Sequence, residues 1–94
     1  MFPLFRFKIE GDSMFPAFES GDEILVNRLS YLLCKPRIRD VIVLKKNKFI
    51  IKRIAKINNR KYFVVGDNKK ESTDSRDFGW ISKKEILGKV IAKI

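Results

Sequence analysis

The sequence predicts a mostly β fold, a small antiparallel sheet with one short helix, and three observations carry that expectation. Residues 4–9 alternate, with Phe5, Phe7 and Ile9 on one side and Arg6 and Lys8 on the other, the period of a half-buried strand. Residues 49–57 form a long run rich in β-branched side chains, Phe-Ile-Ile-Lys-Arg-Ile-Ala-Lys-Ile, which suits a pleated sheet better than a helix. Short apolar stretches recur between turn-forming residues along the whole chain. At 94 residues there is material for one core and not two, so residues 1–94 are read as a single domain.

In chain order, the first strand runs into a turn at Gly11-Asp12-Ser13. Phe15 to Ser20 is expected as a short helical turn begun by Pro16, and Gly21-Asp22 then leads into a strand at residues 23–28. Residues 29–39 read as a loop with an apolar tip at Tyr31-Leu32-Leu33. Asp40 to Leu44 is the next strand, and Lys45 to Lys48, with Asn47, is a hairpin turn into the long strand. Asn58-Asn59 turns the chain back into Tyr62 to Val65. Gly66 to Gly79 is a polar loop, long enough in so small a domain to suggest function. Ser82-Lys83-Lys84-Glu85 has the form of a capping box, predicting a short helix ended by Gly88 and a last strand from Lys89.

Composition excludes several classes. The single cysteine, Cys34, rules out an intrachain disulfide. No apolar run approaches the roughly 18–20 residues of a spanning helix, and Met1 to Phe5 is broken by Arg6 and Lys8, unlike a signal peptide. The net charge is +10, and the excess lies entirely in the second half. Eight basic residues and no acid lie between Lys45 and Lys61. That stretch is read first as a solvated face. Its functional readings are peripheral contact with an anionic membrane or, less favoured, with nucleic acid. The protein is accordingly expected in the cytoplasm or at a membrane periphery.

The chemistry begins from an absence. There is no histidine, so a Ser-His-Asp triad cannot be built from this chain. A serine nucleophile at Ser13 would need a lysine or a carboxylate as its base. Keeping a lysine amine neutral at pH 7 costs about 4–5 kcal/mol in water, and burial reduces that cost. Of the fourteen lysines, Lys45, Lys46 and Lys48 fall in a turn, Lys69 and Lys70 in the polar loop, and Lys83 and Lys84 on the exposed helix. Lys52 instead shares a strand face with Ile50 and Ile54, whereas Lys56 on the same face borders a turn and reaches water. Lys52 is therefore the general-base candidate, beside the blander reading of a lysine that snorkels to solvent from a strand. Asp12, next to Ser13, would oppose a neutral amine if it faced it. Asp74 and Arg76 are close enough for a local ion pair, and Ser72 or Ser75 could hydrogen-bond an amine.

Three stretches together resemble a known family. Gly11-Asp12-Ser13-Met14-Phe15-Pro16 with Gly21-Asp22-Glu23-Ile24-Leu25-Val26 resembles the nucleophile box of type I signal peptidases. Ile51-Lys52-Arg53-Ile54 is similar to their lysine box. Gly66-Asp67-Asn68, then Ser72-Thr73-Asp74-Ser75-Arg76 and Gly79, is similar to their last signature, and Ile86 to Val90 matches the strand after it. The resemblance implies Ser13 as nucleophile and Lys52 as general base, with Ser72 hydrogen-bonded to the lysine and Asp74 and Arg76 as a supporting ion pair. It implies that Met14 packs beside the nucleophile and that the Ser13 backbone N–H is one oxyanion donor. The implied fold is the partly open β-barrel shared with LexA-like self-cleaving repressors.

The chain departs from the family in three places. Gly11 stands where Gram-negative signal peptidases carry a serine hydroxyl, two residues before the nucleophile, leaving a second oxyanion donor unassigned. Twelve residues precede Ser13, so the usual membrane anchor is not expected in this chain. Thirteen residues, 53–65, separate Lys52 from Gly66, too few for the cap domain that often follows the lysine box. The expected activity is a serine endopeptidase acting on an extended peptide with small residues near the scissile bond, with no cofactor or metal. The alternative from another class is a basic β module that binds peptide or nucleic acid, stacking bases on Tyr62, Phe63 and Trp80.

Overall fold

The computed structural model describes residues 3–68, 70 and 73–94. Seven strands, β1 (Leu4–Lys8), β2 (Glu23–Asn27), β3 (Val41–Lys45), β4 (Phe49–Asn58), β5 (Lys61–Val65), β6 (Ile81–Ser82) and β7 (Ile86–Lys93), form one sheet in the order β1-β2-β7-β3-β4-β5-β6. Every pairing is antiparallel. The register slips between Leu25 and Val26, between Val43 and Leu44, and between Ile54 and Lys56. Such bulges add local twist, and the sheet curls into a half-barrel, as the sequence led us to expect.

The sheet buries side chains on both faces, which is why β3 reads as an unbroken apolar run. Ile42 and Leu44 pack with Tyr31, Ile54, Tyr62, Val64 and Ile81. Val43, one residue out of phase, packs with Ile9, Met14, Ile24, Val26 and Ile51. Each such side chain, fully buried, contributes about 1.5–3 kcal/mol.

Several local expectations change. The residue 29–39 loop contains a four-residue helix, α1 (Ser30–Leu33). Its Tyr31 is not at an exposed tip but buried, with its hydroxyl donating to Asp40 Oδ2 at 2.6 Å; Leu32 is the exposed one. The residues after Pro16 form turns and no regular helix, since their N–H groups are met by isolated bonds such as Phe18 N–H to Met14 C=O at 3.0 Å. The β4–β5 turn falls on Asn59 and Arg60, one residue late, and both take positive φ (53° and 66°) as a two-residue hairpin loop demands. A second four-residue helix, α2 (Ser75–Phe78), lies inside the polar loop. The capping box at Ser82 opens only a 3-10 turn, Lys83–Glu85, with Glu85 Oε2 accepting the Ser82 N–H at 2.9 Å.

Gly88 does not end that turn. It lies buried inside β7, where a Cβ would meet the Asn27 carbonyl oxygen and Val26 Cγ1 at 2.8 Å each. The glycine is there because two strands approach closely, not because a helix stops.

Candidate active site

The Ser13 turn is held at three points. Before it, the Ile9 N–H donates to Asp22 C=O and the Gly21 N–H to Ile9 C=O, both at 2.8 Å. Gly11 takes φ +82°, with its N–H donating to Ser20 Oγ at 3.2 Å; this left-handed backbone favours glycine. After Ser13, Met14 is fully buried in the same cluster as Ile51. The serine itself is half-buried, and its carbonyl oxygen accepts the Asn68 N–H at 2.8 Å.

Lys52 stands on β4 opposite Ile42 of β3 and is only 3% exposed. The snorkelling alternative is therefore overturned: the strand is buried on both faces at this point, Ile51 on one and Ile54 on the other. Burial pushes the Lys52 ammonium below its ordinary pKa of 10.5, and the Arg76 charge pushes the same way, while Asp74 and Asp77 oppose them. Asp12, which the sequence left as a possible complication, is exposed.

Asp74 is fully buried, and its carboxylate is well supplied with donors. Oδ1 accepts the Arg76 backbone N–H at 3.0 Å and Arg76 Nε at 2.9 Å, and Oδ2 accepts Arg76 Nη2 at 2.7 Å and the Gly66 N–H at 3.0 Å. Asp74 caps α2, and Asp77 answers by accepting the Asp74 N–H at 3.1 Å. This network ties the polar loop to the end of β5. Ser75, offered by the sequence as a partner for an amine, is instead buried with its Oγ accepting the Val64 N–H at 2.8 Å. Ser72 lies outside the described residues.

A further pair went unassigned in the sequence. Arg53, the residue after Lys52, forms a bidentate contact with Asp67, Nε to Oδ1 and Nη2 to Oδ2, both at 2.9 Å, and Nη1 donates to Arg39 C=O at 2.9 Å. Strand alternation puts Arg53 on the face opposite Lys52. The signal for the pair was two opposite charges, each adjoining a motif residue.

Ser13 and Lys52 line one cleft of about 830 Å³, together with Gly11, Thr73 and Phe78. Its walls are the end of β1 and the β3–β4 hairpin with the start of β4. Thr73 is a cleft residue to which the sequence gave no role of its own. Tyr62, offered for base stacking, is buried in the core, and Phe63 and Trp80 pack edge to face on each other at 5.3 Å between centroids. No cluster of metal-ligating side chains occurs among the described residues, and none of their helices is long and apolar enough to cross a membrane.

The fold and the cleft define a small antiparallel β protein that brings a turn serine and a buried lysine to one cleft, and comparison with known proteins narrows the class further. The family model described as signal peptidase, peptidase S26, matches residues 1–56 and again residues 51–94. The chain belongs to that family, whose members are serine peptidases. It is 28% identical to signal peptidase I V of Bacillus subtilis (strain 168) over 135 residues, covering 87% of this chain and 80% of the relative. It is equally 28% identical to signal peptidase I of Bacillus caldolyticus over 143 residues, covering 96% and 79%. A short stretch of 35 residues is 46% identical to signal peptidase I of Buchnera aphidicola subsp. Baizongia pistaciae (strain Bp), 37% of this chain and 11% of that one. The two Bacillus alignments are longer than the chain itself, so these relatives carry insertions relative to it. Here β4 passes straight into β5 through Asn59 and Arg60.

Proposed function

We propose that the protein is a serine endopeptidase with Ser13 as nucleophile and Lys52 as general base. The observation that carries this reading is that one cleft holds a turn serine and a lysine 3% exposed, whose burial disfavours the ammonium. Neutral Lys52 takes the Ser13 proton as Oγ bonds to the substrate carbonyl carbon. The oxyanion forms against the Ser13 backbone N–H. As the peptide C–N bond breaks, Lys52 returns the proton to the leaving amine. A water then gives its proton to Lys52, attacks the acyl-enzyme and releases the new carboxyl terminus, and the serine is reprotonated.

In this reading Asp74, Arg76 and Asp67 with Arg53 are supports rather than participants. They fix the loops on either side of the cleft, Met14 anchors the Ser13 turn, and Ser72 is assigned as a hydrogen-bond partner of Lys52 by family resemblance. The substrate is an extended peptide with small residues at the scissile bond. Two backbone edges support that form. Among the described residues β1 pairs with β2 alone, and β5 covers β4 only from Arg53 onward, so Leu4–Lys8 and Phe49–Lys52 each keep a side that no described strand pairs. A peptide laid between them would extend the sheet.

The test is turnover of small-residue peptides by the purified protein. Ser13→Ala and Lys52→Met should each abolish cleavage while the circular-dichroism spectrum stays unchanged. Cleavage surviving either change would overturn the assignment. Peripheral membrane contact through the lysine-rich second half forms a separate part of the proposal. Co-sedimentation with anionic vesicles supports it, and no sedimentation removes it.

A further inference from the structure

The cleft is not uniformly charged. Its lining includes Glu10 and Asp12, within three residues of Ser13, and Lys8, Lys46 and Lys48, each four or more residues along the chain from Ser13 or Lys52. Lys46 is already committed, its Nζ 2.8 Å from Glu85 Oε1 and 4.8 Å from the centre of the Phe78 ring. Lys8 and Lys48 are exposed and have no ion pair among the described residues. They stand on opposite walls, Lys8 closing β1 and Lys48 opening β4. Lys48 precedes Lys52 by four residues along one chain segment, about 13 Å at roughly 3.3 Å per strand residue. Lys8 likewise precedes Ser13 by five residues, so two ammonium groups with no ion pair among the described residues line one cleft, each four or five residues along its segment from a candidate catalytic residue.

We infer that Lys8 and Lys48 read an acidic side chain placed about four residues from the scissile bond, and that Glu10 and Asp12 disfavour one next to it. The inference rests on the peptidase reading for the location of the scissile bond. It goes beyond that reading by giving the substrate a charge pattern. A general attraction of acidic peptides to a chain of net charge +10 would favour aspartate at every position. The rim predicts a preference that changes sign along the peptide.

The experiment is an aspartate scan through both sides of the small-residue core of a neutral ten-residue peptide. Binding is read by fluorescence anisotropy on Ser13→Ala, which holds the peptide without cutting it, and turnover is read separately on the unmodified protein. Aspartate about four residues from the core should bind about three- to tenfold tighter than alanine, the range for one or two exposed ion pairs. Aspartate beside the core should bind more weakly than alanine. The distal preference should fall toward unity in Lys8→Ala/Lys48→Ala and at 1 M salt, where screening acts within about 3 Å. Lys45→Ala removes a charge from a residue that is not itself part of the cleft lining, though it stacks on the lining residue Phe49, and it should retain the preference. A flat or uniformly favourable scan overturns the inference, as does a distal preference that survives the double substitution. Failure of the peptidase reading looks different: Ser13→Ala still binds the peptides with the predicted profile, but the unmodified protein cuts none of them.

Discussion

The backbone N–H of Asn68 donates to the carbonyl oxygen of Ser13 at 2.8 Å, so the loop after β5 holds the serine turn directly. Asp67, one residue before, accepts two bonds from the Nε–Nη2 edge of the Arg53 guanidinium. Arg53 in turn follows Lys52, and the two candidate catalytic residues are thus linked through a few covalent and hydrogen bonds. Asp67→Ala should lower kcat/KM about tenfold or more, because small displacements of reacting groups are costly. Stability should fall by only about 1 kcal/mol, since the pair is partly exposed. Arg53→Lys should fail to restore activity, because an ammonium cannot make two parallel bonds. Steady-state kinetics beside thermal unfolding checks both statements, and a large stability loss with unchanged kcat/KM would refute the link.

Gly88→Ala tests the close passage of β7 over β2. The added Cβ would meet backbone oxygen at 2.8 Å, which the strands can relieve only by separating. The expected cost is about 1–3 kcal/mol, measured by urea unfolding. Gly11→Ala meets nothing within 4 Å and is opposed by its φ of +82° alone, so its cost should be nearer about 1 kcal/mol. Equal costs would show that crowding at Gly88 is relieved without moving the strands.

Asp74→Ala removes the cap of α2 and leaves the Gly66 N–H, now bonded at 3.0 Å, without its acceptor. Losing a cap costs about 1 kcal/mol and stranding a buried donor about 1–3 kcal/mol, so a loss of about 2–4 kcal/mol is expected by denaturant unfolding. Arg76, whose side chain is 42% exposed, is solvated and adds little to that sum. Asp74→Asn keeps an acceptor for one N–H and should recover part of the loss. Hydrogen exchange at the Gly66 amide gives a local check, as its protection should drop in both variants.

What the sequence disclosed was set by the range of each signal. Strand alternation is local, and it located β1, β4 and the buried face of Lys52 without tertiary knowledge. The absence of histidine is global and needs no structure at all. Tyr31 was misplaced because a short apolar stretch in a loop reads the same whether it is exposed or buried, while its hydroxyl is met by Asp40, nine residues away. Gly88 was misread as a helix end because a glycine after a capping box looks the same whether a helix stops or a neighbouring strand crowds it. The Arg53–Asp67 pair and the Asn68–Ser13 bond join segments far apart in the chain, and no periodicity within either segment encodes them. Fold class and candidate residues were thus legible, whereas the bonds that hold those residues together needed the fold.

The titration of Lys52 should be visible in stability as well as in rate. Its folded pKa lies below the ordinary 10.5 because burial disfavours the ammonium. In the interval between those two pKa values the unfolded chain binds more protons than the folded one. Stability from this group therefore rises with pH across that interval and levels off above 10.5. Below the folded pKa both states are protonated, and the full cost of the buried charge is present. Lys52→Met removes the charge and fills similar volume. It should be more stable than the unmodified protein at neutral pH, by about 1 kcal/mol or more, with the difference narrowing as pH rises toward 10.5. The rate follows the folded pKa alone: kcat/KM of the unmodified protein should climb as pH rises through that value and level off above it, because only the neutral amine accepts the Ser13 proton. Chemical denaturation of both proteins across a pH series, set beside the rate profile, supplies the comparison. A stability difference that stays constant with pH would mean that the lysine titrates alike in both states, and the basis for its role as a neutral base would be gone.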